Sequence, residues 1–193
     1  MRINYVIEKV CMKVNVFIST CFMRTKALLD SVKLGKKSTF YGTMKFVRGR
    51  NTEIIIGNNV QFRSKSSSNL IGINRPCIIS TILPGATIRI GNNCGFSGTV
   101  IGCFDSIIIG DNVKCGANTL ITDSDWHLDD VRSGKPQAVV IGNNVWLGEG
   151  SKVLKGVIIG ENSVIGAGAV VTKSIPANVI AAGNPCKIIK QID

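Results

Sequence analysis

Residues 141–176 read IGNNVW LGEGSK VLKGVI IGENSV IGAGAV VTKSIP, six units in which an aliphatic residue opens each unit. The opening residues are Ile141, Leu147, Val153, Ile159, Ile165 and Val171. A short fixed period predicts a solenoid, because each repeat buries its apolar residue only by stacking on its neighbours. A six-residue period is typical of a parallel β-helix.

The pattern extends toward the N-terminus with less regular spacing. The signature Ile-Gly-Asn/Asp-Asn recurs at Ile56, Ile90, Ile109 and Ile141. Three hexads form one triangular turn of about 18 residues. The interval from Ile90 to Ile109 fits one turn, and the interval from Ile56 to Ile90 is close to two turns. The inward positions predicted for the early hexads are Phe40, Phe46, Ile56, Phe62, Ile71, Cys77, Leu83, Ile90 and Phe96.

The spacing therefore predicts an all-β chain of three parts. Residues 1–35 form a basic, helical extension, residues 36–176 form the β-helix, and residues 177–193 form a C-terminal tail.

One turn of the predicted β-helix is too long. The interval from Ile109 to Ile141 includes an insertion at 122–139, TDSDWHLDDVRSGKPQAV. It holds His127, the one histidine of the chain. A loop that projects from a rigid scaffold is a common location of functional residues, so we predict the site there.

The N-terminal quarter is strongly basic. Residues 1–50 hold 11 Lys and Arg against 2 Asp and Glu, so most of the net charge of +11 lies there. The helical spacing is carried by Val6, Val10, Lys13, Val14, Phe17, Cys21 and Lys26. Two interpretations stay open: an element that packs on another subunit or caps the solenoid, and a basic amphipathic element at a membrane surface. No nucleic-acid-binding motif accompanies the charge, so nucleic acid is not an expected partner.

The seven cysteines show neither a metal-binding spacing nor a disulfide framework. Cys77 and Cys115 fall on the aliphatic hexad position and Cys94 on the small position, which predicts that they are small buried hydrophobes. Unpaired cysteines favour a reducing compartment. There is no convincing secretory signal, and the longest uncharged run, residues 14–23, is too short to span a bilayer. We therefore expect a cytoplasmic protein, with peripheral contact at the inner membrane face as the open alternative.

The hexads, the sequence DSDWH at 123–127 and the tail SIPANVIAAGNPCKIIK at 174–190 resemble the hexapeptide-repeat acyltransferases. The likeness is to the branch of maltose, galactoside, serine and nodulation-factor acetyltransferases. The loop looks like that of O-acetyltransferases acting on capsular, exopolysaccharide or O-antigen sugars. The resemblance covers roughly residues 40–190. It implies a left-handed β-helix, an exception to the right-handed crossover rule. It also implies a homotrimer with active sites between subunits, and acetyl-CoA as donor.

The residues of the loop suit this chemistry. A sugar hydroxyl attacks a thioester well only when a base takes its proton, and histidine suits that role at neutral pH. We predict His127 as the general base. Asp125 or Asp123 would orient the imidazole or cap the loop as an Asx-turn, and a backbone carbonyl is a further orienting group. Trp126 would shield the thioester or form an acceptor platform. By resemblance, the Gly148 N–H would stabilise the oxyanion.

The resemblance also implies a path for coenzyme A along the solenoid edge. Small turn residues would face the pantetheine arm, a Thr-Lys pair would lie near the nucleotide, and a basic tail residue would meet its phosphates. A tryptophan would pack near the acyl group or at a subunit contact. The matching residues are Trp146, Gly148, Gly166, Ala167, Thr172, Lys173 and Lys187.

The expected function is acetyl-CoA-dependent O-acetylation of a sugar hydroxyl on a surface polysaccharide or its precursor. The alternatives are acetyl transfer to another small acceptor, such as a nucleotide-linked amino sugar, serine or an antibiotic, and a non-catalytic hexapeptide scaffold. We expect no catalytic metal, because hexapeptide-repeat zinc enzymes use three histidines and this chain has one.

Overall fold

The computed structural model describes the backbone of residues 2–192 and the side chains of residues 9–192. Met1, Asp193 and the side chain of Val6, which enter the predictions above, lie outside these described parts. A long helix, α1 (Arg2–Leu29), precedes the strands. In chain order the strands are β1 (Lys33–Leu34), β2 (Thr39–Tyr41), β3 (Lys45–Arg48), β4 (Glu53–Ile56), β5 (Gln61–Arg63), β6 (Ile78–Thr81), β7 (Thr87–Ile90), β8 (Gly95–Ser97), β9 (Val100–Cys103), β10 (Ser106–Ile109), β11 (Lys114–Ala117), β12 (Leu120–Thr122), β13 (Val139–Ile141), β14 (Trp146–Leu147), β15 (Lys152–Val153), β16 (Ile158–Ile159), β17 (Val164–Ile165), β18 (Val170–Val171), β19 (Val179–Ala182) and β20 (Lys187–Gln191).

Strands β1 to β18 lie in turn on three sheets, which form the faces of a triangular coil, and β19 and β20 both extend the second sheet. Sheet A has the order β1-β4-β7-β10-β13-β16, sheet B β2-β5-β8-β11-β14-β17-β19-β20, and sheet C β3-β6-β9-β12-β15-β18. The pairing is parallel except at β19–β20, where the tail folds back antiparallel. The structure confirms the prediction of a left-handed parallel β-helix.

The pairing register corrects one part of the sequence interpretation. Ile56 pairs with Ile90, so the interval between them makes one turn with an insertion, not two turns. The insertion, residues 64–77, leaves the solenoid between β5 and β6 and contains a 3-10 turn, Ser66–Ser68. Ile71, predicted to point inward, is 67% exposed in this insertion. The error arose because the insertion is nearly as long as a turn, so the spacing alone could not separate the two interpretations.

Inward side chains form continuous columns inside the coil. In sheet B the column begins with three stacked rings, whose centroids are 5.1 Å and 5.3 Å apart. From the N-terminal end it runs Phe40, Phe62, Phe96, Cys115, Leu147, Ile165 and Ala181. Each large apolar side chain buried in this way contributes about 1.5–3 kcal/mol. Cys77, Cys94 and Cys115 are buried, which confirms the prediction that they belong to the core.

The last residue of each Ile-Gly-Asn/Asp-Asn signature forms a polar ladder at the corner between sheets A and B, and Asn162 and Asn178 continue it at the equivalent positions of two later turns. Each asparagine of this ladder has a φ of 56° to 59°, in the left-handed region that asparagine tolerates better than most residues. The side-chain amide of each donates to the side-chain oxygen of the next at 2.8–3.2 Å. The ladder consists of Asn59, Asn93, Asn112, Asn144, Asn162 and Asn178.

Helix α1 covers the open edge of sheet B at the start of the coil. The Ser19 hydroxyl donates to the Phe40 carbonyl at 2.6 Å, and the Phe40 N–H donates to Thr20 Oγ1 at 3.0 Å. Met23 and Ala27 are buried in the core. Within residues 2–192, no helix has the length and apolar content needed to cross a membrane.

Candidate active site

The histidine-bearing loop leaves the solenoid between β12 and β13 and is anchored at its first residue. The buried Asp123 carboxylate accepts the N–H groups of Phe104 at 2.7 Å and Asp105 at 2.8 Å. The Cys103 thiol donates to the same carboxylate at 3.3 Å. Burial, and then the Asp123 charge, raise the pKa of Cys103, so this thiol stays protonated. Asp123 therefore ties the loop to the preceding coil.

Trp126 forms a second anchor. Its indole Nε1–H donates to Thr122 Oγ1 at 3.0 Å, and its ring meets Phe104 edge-on at 5.1 Å and 80°. The indole also covers Gly102, where an added Cβ would lie 2.1 Å from Cζ2. The backbone of Trp126 is in the left-handed region, with φ 71°, which costs about 1–2 kcal/mol for a residue with a side chain. The packing holds this conformation immediately before His127.

A third anchor corrects the role predicted for Asp125. Its carboxylate forms an ion pair with Lys155, from the next coil, and accepts the Gly134 N–H at 3.1 Å. The hydrogen bond from Lys155, and then that from Gly134, lower the pKa of Asp125. Asp125 thus joins the two ends of the loop to the solenoid, and the carboxylate faces Lys155 instead of orienting His127.

His127 itself projects outward. Its side chain is exposed, and its carbonyl accepts the Asp130 N–H at 3.1 Å. Within residues 9–192 the imidazole has no hydrogen-bond partner in the chain. The Arg132 side chain donates to the Asp130 carboxylate. This interaction lowers the pKa of Asp130 and shapes the loop tip. The arrangement presents an accessible imidazole from a loop that is fixed at its base.

The remaining predicted residues divide between two corners of the coil. Thr172 and Lys173 follow β18 of sheet C, so they share a corner with His127, whose loop follows β12 of the same sheet. Both are exposed. Gly148 and Gly166 follow β14 and β17 of sheet B and lie at the corner between sheets B and C.

At that second corner the small residues stack closely. A Cβ on Gly148 would lie 2.5 Å from the Ala167 N and 2.6 Å from the Gly166 carbonyl carbon. Trp146, 55% exposed, lies on the adjoining face of sheet B, and the exposed Lys187 belongs to β20 at the end of that sheet. The structure brings these residues together on one side of the chain, apart from His127.

The Gly148 N–H is not available as an oxyanion donor. It donates to the Ile165 carbonyl at 2.7 Å as part of the coil's ladder, so the prediction for this group is wrong. In the described part of the chain the next amide, Glu149 N–H, has no acceptor, and neither has the Ala167 N–H one coil later. These two amides belong to turns, where the chain leaves the strand and the ladder is interrupted.

Sequence reasoning missed three features of this region. Lys155 lies in an ordinary hexad, VLKGVI, so nothing in the sequence marked it. Gly102 occupies a strand position, where glycine often indicates close approach of another group, and that signal was present. The insertion 64–77 lies against the corner between sheets B and C, where the Arg75 guanidinium donates to the carbonyls of Gly98 at 3.2 Å and Asn118 at 2.6 Å.

A family model and several known proteins match this chain. The model described as "Bacterial transferase hexapeptide (six repeats)" matches residues 138–173. Galactoside O-acetyltransferase of Escherichia coli K12 is 42% identical over 115 residues, which are 56% of each chain. Protein CapG of Staphylococcus aureus is 43% identical over 115 residues, 55% of this chain and 67% of that one. The putative lipopolysaccharide biosynthesis O-acetyl transferase WbbJ of Escherichia coli K12 is 41% identical over 104 residues, 47% and 53% of the two chains.

A solved structure has the same fold. Galactoside acetyltransferase in complex with coenzyme A superposes with a TM-score of 0.51 at 28% identity, covering 83% of this chain and 65% of that one. The chain spans about half to two thirds of the length of these relatives. Within residues 9–192 no group of three His, Cys, Asp or Glu side chains is placed to hold a metal ion. The repeat, the fold and the extent of the match to CapG together show that the chain belongs to the hexapeptide-repeat acetyltransferase family.

Proposed function

We propose that this protein is an acetyl-CoA-dependent O-acetyltransferase that modifies a sugar hydroxyl of a surface polysaccharide or its precursor. The observation that carries the proposal is the exposed His127 on a loop that Asp123, Asp125 and Trp126 fix at its base. A general base must be accessible to the acceptor and held in place, and these two properties are combined here.

The proposed reaction is direct transfer. The His127 imidazole takes the proton of the sugar hydroxyl as its oxygen attacks the thioester carbonyl, forming a tetrahedral intermediate. The carbon–sulfur bond then breaks, and the imidazolium returns the proton to the thiolate of coenzyme A. We assign the oxyanion to the Glu149 N–H, because this amide has no acceptor in the described chain, whereas the Gly148 N–H is engaged.

The placement of the residues supports a site shared between copies. The corner between sheets C and A holds His127, Thr172 and Lys173. The corner between sheets B and C holds Glu149 and Ala167. One chain therefore holds two half-sites on different corners. A threefold assembly that places one corner of each chain beside the other corner of its neighbour would complete the site, and we propose a homotrimer for this reason.

Coenzyme A would lie along the corner between sheets B and C. The pantetheine arm carries two amides, and the Ala167 N–H is a donor without a partner in the described chain. Gly148 and Gly166 allow successive coils to stack closely at this corner, because a Cβ on either residue would clash with the next coil. Lys187, and Lys173 of an adjacent copy, would supply positive charge to the phosphates, as point charges without the paired donors of arginine.

The acceptor class rests on the relatives. Their names include a galactoside O-acetyltransferase and a putative lipopolysaccharide biosynthesis O-acetyl transferase, and both names refer to glycans. We therefore place a glycan hydroxyl ahead of serine or an antibiotic.

The test is thiol release from acetyl-CoA over a panel of bacterial polysaccharides, oligosaccharides and amino sugars. We expect release with a glycan, and its loss in His127→Ala by at least about 100-fold. Asp129→Ala is the matched control, because Asp129 is an exposed residue of the same loop with no role in the proposed site. Equal activity of His127→Ala and the wild type would remove the general-base assignment. Activity restricted to amines would move the acceptor away from hydroxyl groups.

A further inference from the structure

The two sides of α1 differ sharply. One side packs on the coil through Met23 and Ala27, and the other carries a row of exposed apolar side chains. Phe17 is 70% exposed, and Leu28 and Leu29 are each 78% exposed. At about 100° per residue these side chains lie together on the face turned away from the solenoid. This outer face consists of Val10, Val14, Phe17, Ile18, Cys21, Phe22, Leu28 and Leu29.

Basic residues border the outer face. Helical spacing places Lys13 and Arg24 along one border and Lys26, which forms an ion pair with Asp30 at 2.8 Å, along the other. Residues 9–29 contain no Asp or Glu. An apolar stripe with cationic borders is the pattern of a helix that lies in the plane of a bilayer interface, with its cations at the lipid phosphates.

The apolar surface continues into a cleft beside the helix. The cleft has a volume of about 650 Å³, and its lining includes Ile18 and Phe22 of the outer face. Tyr41 and Lys65 line its other wall. An apolar cleft with a lysine beside it suits the acyl chain of a phospholipid whose phosphate stays in the headgroup region.

We propose that the outer face of α1 docks the protein on the surface of an anionic phospholipid bilayer. The helix would lie in the membrane plane, with the aromatic and aliphatic side chains at the boundary between headgroups and acyl chains. This interaction is separate from the transfer reaction and needs neither acetyl-CoA nor an acceptor.

Charge favours a bilayer over a second copy of the chain as the occupant. Residues 9–29 of α1 carry four Lys and Arg and no Asp or Glu, so a homotypic contact would bring the cationic borders of two helices together. Two cationic borders brought together in this way would repel each other. An anionic lipid surface instead attracts polybasic segments by about 1 kcal/mol for each Lys or Arg. Within residues 9–30 the one acidic side chain is Asp30, which already pairs with Lys26 and leaves Lys13 and Arg24 without a carboxylate partner.

Vesicle flotation of the full chain tests the proposal. The probes are vesicles of phosphatidylcholine alone and of phosphatidylcholine mixed equally with phosphatidylglycerol. We expect flotation with the anionic vesicles, weaker flotation with the neutral ones, and a decrease as salt is added. Phe17→Gln should weaken binding by about tenfold or more. Leu70→Gln is the matched control, since Leu70 is 99% exposed in the insertion 64–77, and should bind as the wild type does.

A second pair of variants tests the charge. Lys13→Gln should weaken binding to anionic vesicles by about fivefold, and Lys190→Gln, in the C-terminal strand, should leave it unchanged. Sedimentation of the same proteins without lipid identifies the competing occupant. If Phe17→Gln lowers the assembled mass, a second copy covers the face and the proposal is overturned. Absence of flotation by the wild type, or equal binding of Phe17→Gln and Leu70→Gln, also overturns it.

Discussion

The Trp126 indole occupies the space where a side chain on Gly102 would begin. The distance from a Cβ at Gly102 to Trp126 Cζ2 would be 2.1 Å, and to Cη2 it would be 2.9 Å. Gly102 is therefore required for space, since its backbone is not in the left-handed region. Because Trp126 immediately precedes His127, this contact links a strand of the solenoid to the position of the proposed base.

Gly102→Ala should displace the indole and move His127 with it. An error of about 1 Å in the position of a catalytic group costs about 100-fold in rate, so we expect a fall of about 10- to 100-fold in kcat/KM. Overpacking should also cost about 1–3 kcal/mol of stability. Gly95→Ala is the matched control for thermal stability, because a Cβ there meets nothing within 4 Å. Wild-type kcat/KM in Gly102→Ala would show that Trp126 does not position His127.

Asp125→Asn should loosen the loop. The variant loses the ion pair with Lys155, and we expect faster tryptic cleavage after Arg132 with little change in Tm, since the pair is partly exposed. Asp129→Asn is the control, because Asp129 is an exposed residue of the same loop and forms no ion pair among residues 9–192. Equal cleavage rates in the two variants would contradict an anchoring role for Asp125.

The same ion pair predicts a response to acid. The pKa of Asp125 is lowered in the folded protein by Lys155, so the stabilisation is present above the ordinary aspartate pKa of about 3.9 and is lost as the pH falls through the lowered value. Hydrogen exchange of the loop peptide measures the protection of the Gly134 amide, after correction for the intrinsic exchange rate. This protection should persist at mildly acidic pH and disappear at lower pH. Protection that is lost already near neutral pH would argue against the pair.

The seven cysteines should fall into reactivity classes. Cys11 and Cys21 are exposed and should react rapidly with a thiol reagent, whereas Cys186, half-buried with a raised pKa, should react slowly. Burial raises the pKa of Cys94 to about 11 and also raises the pKa of the other buried thiols. Titration of the native and unfolded protein checks this, and more than three thiols reacting before unfolding would contradict the buried positions.

The asparagine ladder gives a test of stability. Asn112 has φ 59° and bonds to Asn93 and Asn144. Asn112→Gly removes the ladder bonds but keeps the left-handed conformation, whereas Asn112→Ala also introduces strain of about 1–2 kcal/mol. We expect Asn112→Ala to be less stable than Asn112→Gly by about that amount in denaturant unfolding. Equal stabilities would mean that the corner relaxes.

The sequence by itself determined the coil and the place of the loop. A hexad buries one aliphatic residue only when it stacks on its neighbours, so the period from Ile141 to Val171 specifies the solenoid, and the excess between Ile109 and Ile141 marks the insertion. The lone His127 within that insertion is the basis of the proposed general-base chemistry.

Only the tertiary structure decided the partners of the charged and polar groups. Asp125 lies two positions before His127 in sequence, yet its carboxylate faces Lys155, which is far along the chain and one coil away. The Gly148 N–H has an acceptor because Ile165 lies beneath it in the next turn. The period sets which residues point inward. The contacts of these charged groups also depend on the path of the insertion 64–77 and of the loop between β12 and β13. That path is fixed by side-chain packing, such as Trp126 on Gly102, and not by spacing.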